Sequence, residues 1–158
     1  GCTSLETLHI GANTILSNDS VGFAFGCKSL REITVSPKNK RYKIIKGILY
    51  DTKNKSLIVV PAKLDVRNIV VPKWVKTISP FCFADNENIR TIRFNSDEIN
   101  GIEELCCPDE SKVKIICPTD SKICKFAERN GFQTGPMVSE LDSFLSSCVD
   151  DEKDAKKI

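Results

Sequence analysis

The stretch "GCTSLETLHI" at residues 1–10 returns as "GCKSLREITV" at residues 26–35, and this repetition decides the fold. Each copy ends in an apolar, a polar and a second apolar residue, the alternation typical of a strand with one buried face. The second copy follows "VGFAF", whereas the first copy has no such lead-in and the chain does not begin with Met. We therefore expect a piece of a longer, repetitive protein.

Further apolar runs of this kind follow along the chain. The intervals between their last inward residues are 25, 25, 11, 23 and 21 residues. Four of the five intervals lie within the spacing of about 20–29 residues that is typical of leucine-rich repeats. The short interval predicts a truncated or hairpin coil. The last inward residues of the runs are Ile10, Val35, Val60, Val71, Phe94 and Ile115.

A second shared motif precedes two of the strands. "FAFGCKSL" at residues 23–30 is similar to "FCFADNENI" at residues 81–89. Two Phe residues two apart, followed by small residues, predict a short helical turn on the convex side of each coil. A single coil cannot bury its apolar face alone, so the coils must stack into a solenoid. With one extra residue in the second copy, the matching residues are Phe23 and Phe81, Phe25 and Phe83, and Leu30 and Ile89.

These stretches resemble the BspA-like leucine-rich repeat family. The resemblance lies in "FAFGCKSLREITV", "FCFADNENIRTIRF" and "VPKWVKTISPFCFADNENI". "NKRYKIIKGILYDTKNKSLIVVPA" is similar to the insertion of that family, and "IICPTDSKICKFAERNGF" is similar to its closing coil. The resemblance covers residues 1–132 and implies a protein-binding or adhesion module of a cell-surface or secreted antigen. An intracellular scaffold for protein–protein contacts and, more weakly, a cysteine-dependent enzyme remain alternatives.

The predicted fold is an α/β leucine-rich-repeat solenoid of short strands, short convex-side helical turns and a C-terminal capping helix. The solenoid takes residues 1–132 and includes a hairpin at 38–61. Its cap is a helix over residues 119–131, with Asp120 as N-cap, Gly131 as the stop and an apolar stripe. The stripe consists of Ile123, Phe126 and Ala127. Residues 133–158 are predicted to be a linker, a short helix and a charged tail.

Composition and motifs argue against several classes of function. A net charge of +2 is too small to indicate nucleic-acid binding, and no apolar run is long enough for a membrane span. The eight cysteines lack the paired spacing of a zinc site, and no motif for catalysis or cofactor binding occurs. We expect a monomer without metal, cofactor or enzymatic activity. Cys2 and Cys27 share one repeat position and are predicted to be buried thiols, with a disulfide as the alternative.

The predicted binding surface is the row of residues between the last two inward positions of each strand. These side chains must point outward, because side chains alternate along a strand. The row is expected to form one ladder on the concave face, for a protein or glycan ligand. An alternative is that the hairpin covers its middle member, Val59. The row consists of His9, Thr34, Val59, Val70, Arg93 and Lys114.

Overall fold

The structure is a computed structural model in which residues 1–17, 22–100 and 107–137 are described. The short helix and charged tail predicted near the C-terminus lie outside these residues. Within these residues there is one α-helix, α1, which spans Lys122–Arg129, and a 3-10 helix spans Glu110–Lys112. The strands are β1 Thr7–Ile10, β2 Glu32–Val35, β3 Tyr42–Ile45, β4 Ile48–Asp51, β5 Ser56–Val59, β6 Asn68–Val71, β7 Thr77–Ile78, β8 Thr91–Phe94, β9 Lys114–Ile116 and β10 Gln133–Gly135.

Parallel stacking of repeated strands builds a solenoid of about five turns. β1 pairs with β2, and a second parallel sheet has the order β10-β9-β8-β6. The inward residues stack in register, with Ile10 beside Val35 and Val71 beside Phe94. The predicted solenoid is therefore confirmed. Its assignment as α/β needs correction, since the described residues are mostly strand and turn, and α1 has eight residues.

The two copies of the Phe-containing motif match without the extra residue that was predicted. Both turns begin at a residue with positive φ, Gly22 at 65° and Phe81 at 59°, and both contain the same backbone hydrogen bonds. A constant offset of 59 residues then joins Gly22 to Phe81 and Val35 to Phe94. In this register Phe83 corresponds to Ala24, because both occupy the buried position of the turn.

The last strand interval also differs from the prediction. Ile115 lies beside Ile92, and not beside Phe94. The interval is therefore 23 residues, equal to the one before it, since Ile69 lies beside Ile92. The repeat pattern predicted that Ile115, the last residue of "KVKI", is equivalent to Phe94, but Ile115 pairs with the first apolar residue of "TIRF".

The predicted hairpin lies before the short interval, between Val35 and Val60, and contains one strand more than predicted. β3, β4 and β5 are antiparallel neighbours, and β5 continues in parallel into β7. The short interval follows β5 and begins with a tight turn, in which the Leu64 N–H donates to the Pro61 carbonyl at 3.1 Å. This coil therefore lacks the wide convex turn found at residues 22–26 and 81–85.

Two apolar clusters fill the solenoid. The larger, here called the C-terminal core, surrounds Phe83, Ile92 and Phe94 and extends to Ile123 and Phe132. The smaller, here called the N-terminal core, consists of Ile10, Ala24, Cys27, Leu30, Ile33, Tyr42, Leu49 and Val59. The boundary runs through the hairpin, since Val59 belongs to the N-terminal core and Val60 to the C-terminal core.

Two buried asparagines join neighbouring coils. The Asn39 amide donates to the carbonyls of Gly11 at 2.9 Å and Thr14 at 3.1 Å. The Asn86 amide donates to the carbonyls of Pro61 at 2.8 Å and Leu64 at 3.0 Å. Each side chain thus joins two backbone carbonyls of the preceding coil to its own coil, in addition to the turn hydrogen bonds that the carbonyls of Gly11, Pro61 and Leu64 accept.

The predicted helix is present, but its start and surroundings differ from the prediction. Ser121 is the N-cap, and its hydroxyl accepts from the Cys124 N–H at 3.1 Å; Asp120 has a positive φ of 62°. Ile123 and Ala127 are buried as predicted. β10 follows the helix and pairs in parallel with β9, so the sheet extends beyond the predicted boundary at residue 132. α1 is therefore the connection between two parallel strands, and its role as a cap stays a prediction.

Candidate binding surfaces

The outward face of β1 and β2 is an exposed surface. His9 lies beside Thr34, and the ring Nδ1 is 2.8 Å from the Thr34 hydroxyl oxygen. Thr7 and Glu32 are the next outward pair in the same register, and all four residues are exposed. Here the structure brings two predicted binding residues together on an accessible face.

Three other predicted residues lie in the second parallel sheet. Val70 is beside Arg93, but only 9% of Val70 and 8% of Arg93 is exposed. Lys114 is exposed and lies beside Thr91, one outward position away from Arg93. Outward direction in the strand therefore does not make Val70 and Arg93 accessible.

Val59 lies outside both parallel sheets. It belongs to β5 of the hairpin sheet, opposite Leu49, and packs in the N-terminal core. The pairing shifts between Leu49 and Tyr50, which pairs with Leu57, so β5 carries one extra residue at Ile58. Such a bulge interrupts the alternation of side chains on which the prediction relied. The six residues therefore do not form one ladder, although the binding role of the accessible members stays a prediction.

Sequence reasoning missed a cleft between the hairpin sheet and the convex turns. This cleft, here called the hairpin cleft, has a volume of about 430 Å³. Phe25 and Phe81 from the two turns line it, with ring centroids 5.1 Å apart, and Phe25 is 51% exposed. The polar side chains that line it are Ser17, Arg41, Tyr42, Asp51, Asn54, Ser56, Thr77 and Ser79. No local motif indicates this site, because its walls come from three segments spread over residues 16–82.

The ion pair in the hairpin cleft is fully hydrogen-bonded on its acidic side. Asp51 Oδ2 accepts from Arg41 Nε at 3.0 Å and from Arg41 Nη2 at 2.8 Å. Asp51 Oδ1 accepts from the backbone N–H groups of Lys53 and Asn54, both at 3.0 Å. The hydrogen bond to Asp51 raises the pKa of Arg41 above its ordinary value, so the guanidinium stays charged.

Cys2, Cys27, Cys117 and Cys124 are free thiols. Cys27 is buried as predicted, but Cys2 is exposed, because the turn before β1 stands at the open end of the described solenoid. Cys117 lies next to Cys124 at the base of α1. Burial, followed by a hydrogen bond with Cys124, raises the pKa of Cys117 from 9.0 to about 12.

Alkaline pH should destabilise the protein through Cys117. The folded state holds this proton more tightly than the unfolded chain, so the stabilisation is complete below pH 9.0 and is lost towards about pH 12. We expect the free energy of unfolding in urea to fall over this range, and to fall less steeply in Cys117→Ala. Equal slopes in the two proteins would contradict the assignment. At neutral pH, iodoacetamide should modify the exposed Cys2 and leave Cys117 intact, as read by peptide mass spectrometry.

No helix among the described residues has the length and apolar character needed to cross a bilayer. No protein-family model matches the sequence, and no curated protein matches it significantly.

Two solved structures are similar to this chain. A leucine-rich repeat protein from Eubacterium ventriosum ATCC 27560 aligns with a TM-score of 0.63 and 18% sequence identity, over 84% of this chain and 32% of its own. The pneumococcal vaccine antigen PcpA aligns with a TM-score of 0.43 and 16% identity, over 70% of this chain and 24% of its own. The chain thus spans 32% of the first of these proteins. That similarity shows that the chain has the fold of a leucine-rich repeat solenoid.

Proposed function

We propose that this chain is a binding module that recognises a protein or glycan through the outward face of β1 and β2. The observation that carries the proposal is the accessible four-residue surface of Thr7, His9, Glu32 and Thr34. Stacked strands of a solenoid give a rigid surface whose outward side chains are free to vary, which suits recognition of a macromolecule. The hydrogen bond between His9 and Thr34 fixes two of these side chains before a partner arrives.

We also propose that the protein belongs to the BspA-like family, acts in adhesion at a cell surface, and is a monomer. The support for the family and the location is the sequence resemblance of residues 1–132. An intracellular scaffold is the alternative. Antibody labelling of intact cells separates the two, because a scaffold is labelled only after the cells are opened. Analytical ultracentrifugation tests whether the protein is a monomer in solution.

The proposal involves no catalytic step. In its support, His9 lies on the exposed face of β1, whereas Cys27, Cys82, Cys107 and Cys117 are buried. A cysteine nucleophile needs an accessible thiolate beside a base. This arrangement therefore disfavours these four cysteines as nucleophiles.

The test is a surface variant of the β1–β2 face. Thr34→Arg adds a long side chain at the centre of the face and leaves the inward residues unchanged, so we expect an intact circular dichroism spectrum. Binding to purified extracellular-matrix proteins or to intact cells should weaken at least about tenfold, as expected for a central interface position. Lys125→Glu, on the exposed side of α1, is the control and should bind normally. A folded Thr34→Arg protein with unchanged binding would remove this face from the proposal.

A further inference from the structure

The hairpin cleft exists because one coil is short. The coil at residues 60–71 has no wide convex turn, so the turns on either side of it meet directly. The Gly26 N–H donates to Asp85 Oδ2 at 2.6 Å, and Phe25 packs on Phe81. Ala24 lines the cleft. It occupies the turn position that is filled by Phe83 in the turn at residues 81–85, and its side chain is much smaller. The cleft is therefore bounded by two turns that are joined to each other by a hydrogen bond and an aromatic contact.

The size and the lining of the cleft suit a small ligand. Its volume of about 430 Å³ lies within the range of about 300–1,000 Å³ found for small-molecule sites. Four aromatic side chains line the cleft, including Phe25 and Phe81, together with one amide and several hydroxyl groups. Amides and hydroxyls both donate and accept hydrogen bonds. The ligand should therefore have an apolar face and many hydroxyl groups.

Arg41 supplies the remaining donors. A guanidinium has five N–H groups, and the Arg41 hydrogen bonds to Asp51 use Nε and Nη2. Within the described part of the chain, no hydrogen bond uses the two hydrogens of Nη1 or the second hydrogen of Nη2, so these three can donate to a ligand. The carboxylate of Asp51 offsets the charge of Arg41 and is itself occupied by four N–H groups. The pair thus offers donors without net charge, which favours a neutral ligand over a phosphate or a carboxylate.

We propose that the hairpin cleft binds a neutral saccharide. One face of a pyranose ring packs against Phe25 and Phe81, and its hydroxyl groups hydrogen-bond to Arg41 and to the side chains of Asn54, Thr77 and Ser79. This site shares no residue with the β1–β2 face, so it can be tested independently of the proposed function. Two kinds of ligand would present the same neutral sugar to the cleft, a free disaccharide or the end of a longer glycan.

The experiment is ligand-observed NMR and titration calorimetry on the whole chain. The free probes are maltose, cellobiose, lactose and chitobiose at up to about 10 mM, a range that detects weak binding. An array of immobilised neutral oligosaccharides tests the glycan end, and inorganic phosphate is the anionic probe. We expect at least one neutral sugar to bind, in solution if free disaccharides are the ligand and on the array alone if a longer chain is required. Phosphate should not compete.

Matched variants place the sugar in the cleft. Phe25→Ala should weaken binding at least about tenfold, since it removes the exposed half of the aromatic pair. Thr77→Val removes one hydroxyl with little change of shape and should weaken binding about threefold to tenfold. Ile15→Ala is the control, because Ile15 is 69% exposed and does not line the cleft. The proposal fails if no neutral sugar binds, if phosphate displaces the sugar, or if folded Phe25→Ala binds as tightly as Ile15→Ala.

Discussion

Phe83→Ala should lower the free energy of unfolding by about 3–5 kcal/mol, the loss expected for a fully buried Phe. The Phe83 side chain is 0% exposed and packs at the centre of the C-terminal core. Alanine already occupies the same turn position at Ala24, so the backbone tolerates it. The loss should therefore come from the cavity and from the missing contacts, and not from a distorted turn.

Urea denaturation followed by circular dichroism measures this effect. Phe25→Ala is the matched control, because it removes the same side chain from the neighbouring turn at a site that is 51% exposed. We expect that control to lose less than about 1 kcal/mol, as is usual for surface sites. Equal losses in the two variants would contradict the register that places Phe83, and not Phe25, in the core.

Asp51→Ala should destabilise the protein by about 3 kcal/mol or more, the typical result of removing one member of a buried ion pair. The Asp51 side chain is 3% exposed and that of Arg41 is 20% exposed. The substitution leaves the Arg41 guanidinium and the N–H groups of Lys53 and Asn54 without their acceptor. These groups lie at the turn between β4 and β5, so the hairpin should lose order first.

Two further variants separate the charge from the hydrogen bonds. Asp51→Asn keeps an acceptor for the two N–H groups but removes the charge, and we expect an intermediate loss. The double variant Arg41→Leu, Asp51→Leu should be more stable than Asp51→Ala, because no charge is left unpaired. Thermal and urea melts provide the values. A loss below about 1 kcal/mol for Asp51→Ala would show that the pair contributes little more than an exposed one.

The repeat in the sequence predicted most of the solenoid. The predicted inward residues Ile10, Val35, Val71 and Phe94 are the last residues of four strands. The hairpin was also predicted, although β3 was not. These predictions succeeded for the same reason. The spacing of apolar residues and the residue types that favour turns act over a few residues, so both can be recognised in a short stretch of sequence.

The predicted binding row is accessible only in part, because long-range contacts decide which residues are exposed. Alternation predicted that Val70 and Arg93 point outward, but both are buried, since accessibility depends on what packs over a strand as well as on its direction. Val59 was misplaced because a bulge at Ile58 changes the alternation locally, and no residue type in "SLIVV" announces it. The hairpin cleft was missed because its two sides meet only in the folded chain. The local sequence pattern therefore predicts the strands, but not which of their faces is exposed to solvent.

The division of the interior into two cores has a consequence for how unfolding is observed. The chain has one Trp, and Trp74 packs on Tyr50 and the C-terminal core, with ring centroids 5.5 Å apart. Tryptophan fluorescence therefore reports on the C-terminal core and does not report on the N-terminal core. Amide hydrogen exchange covers both cores, because it reports each backbone N–H separately. If the N-terminal core opens first, its strands exchange while the emission spectrum is still that of the native protein.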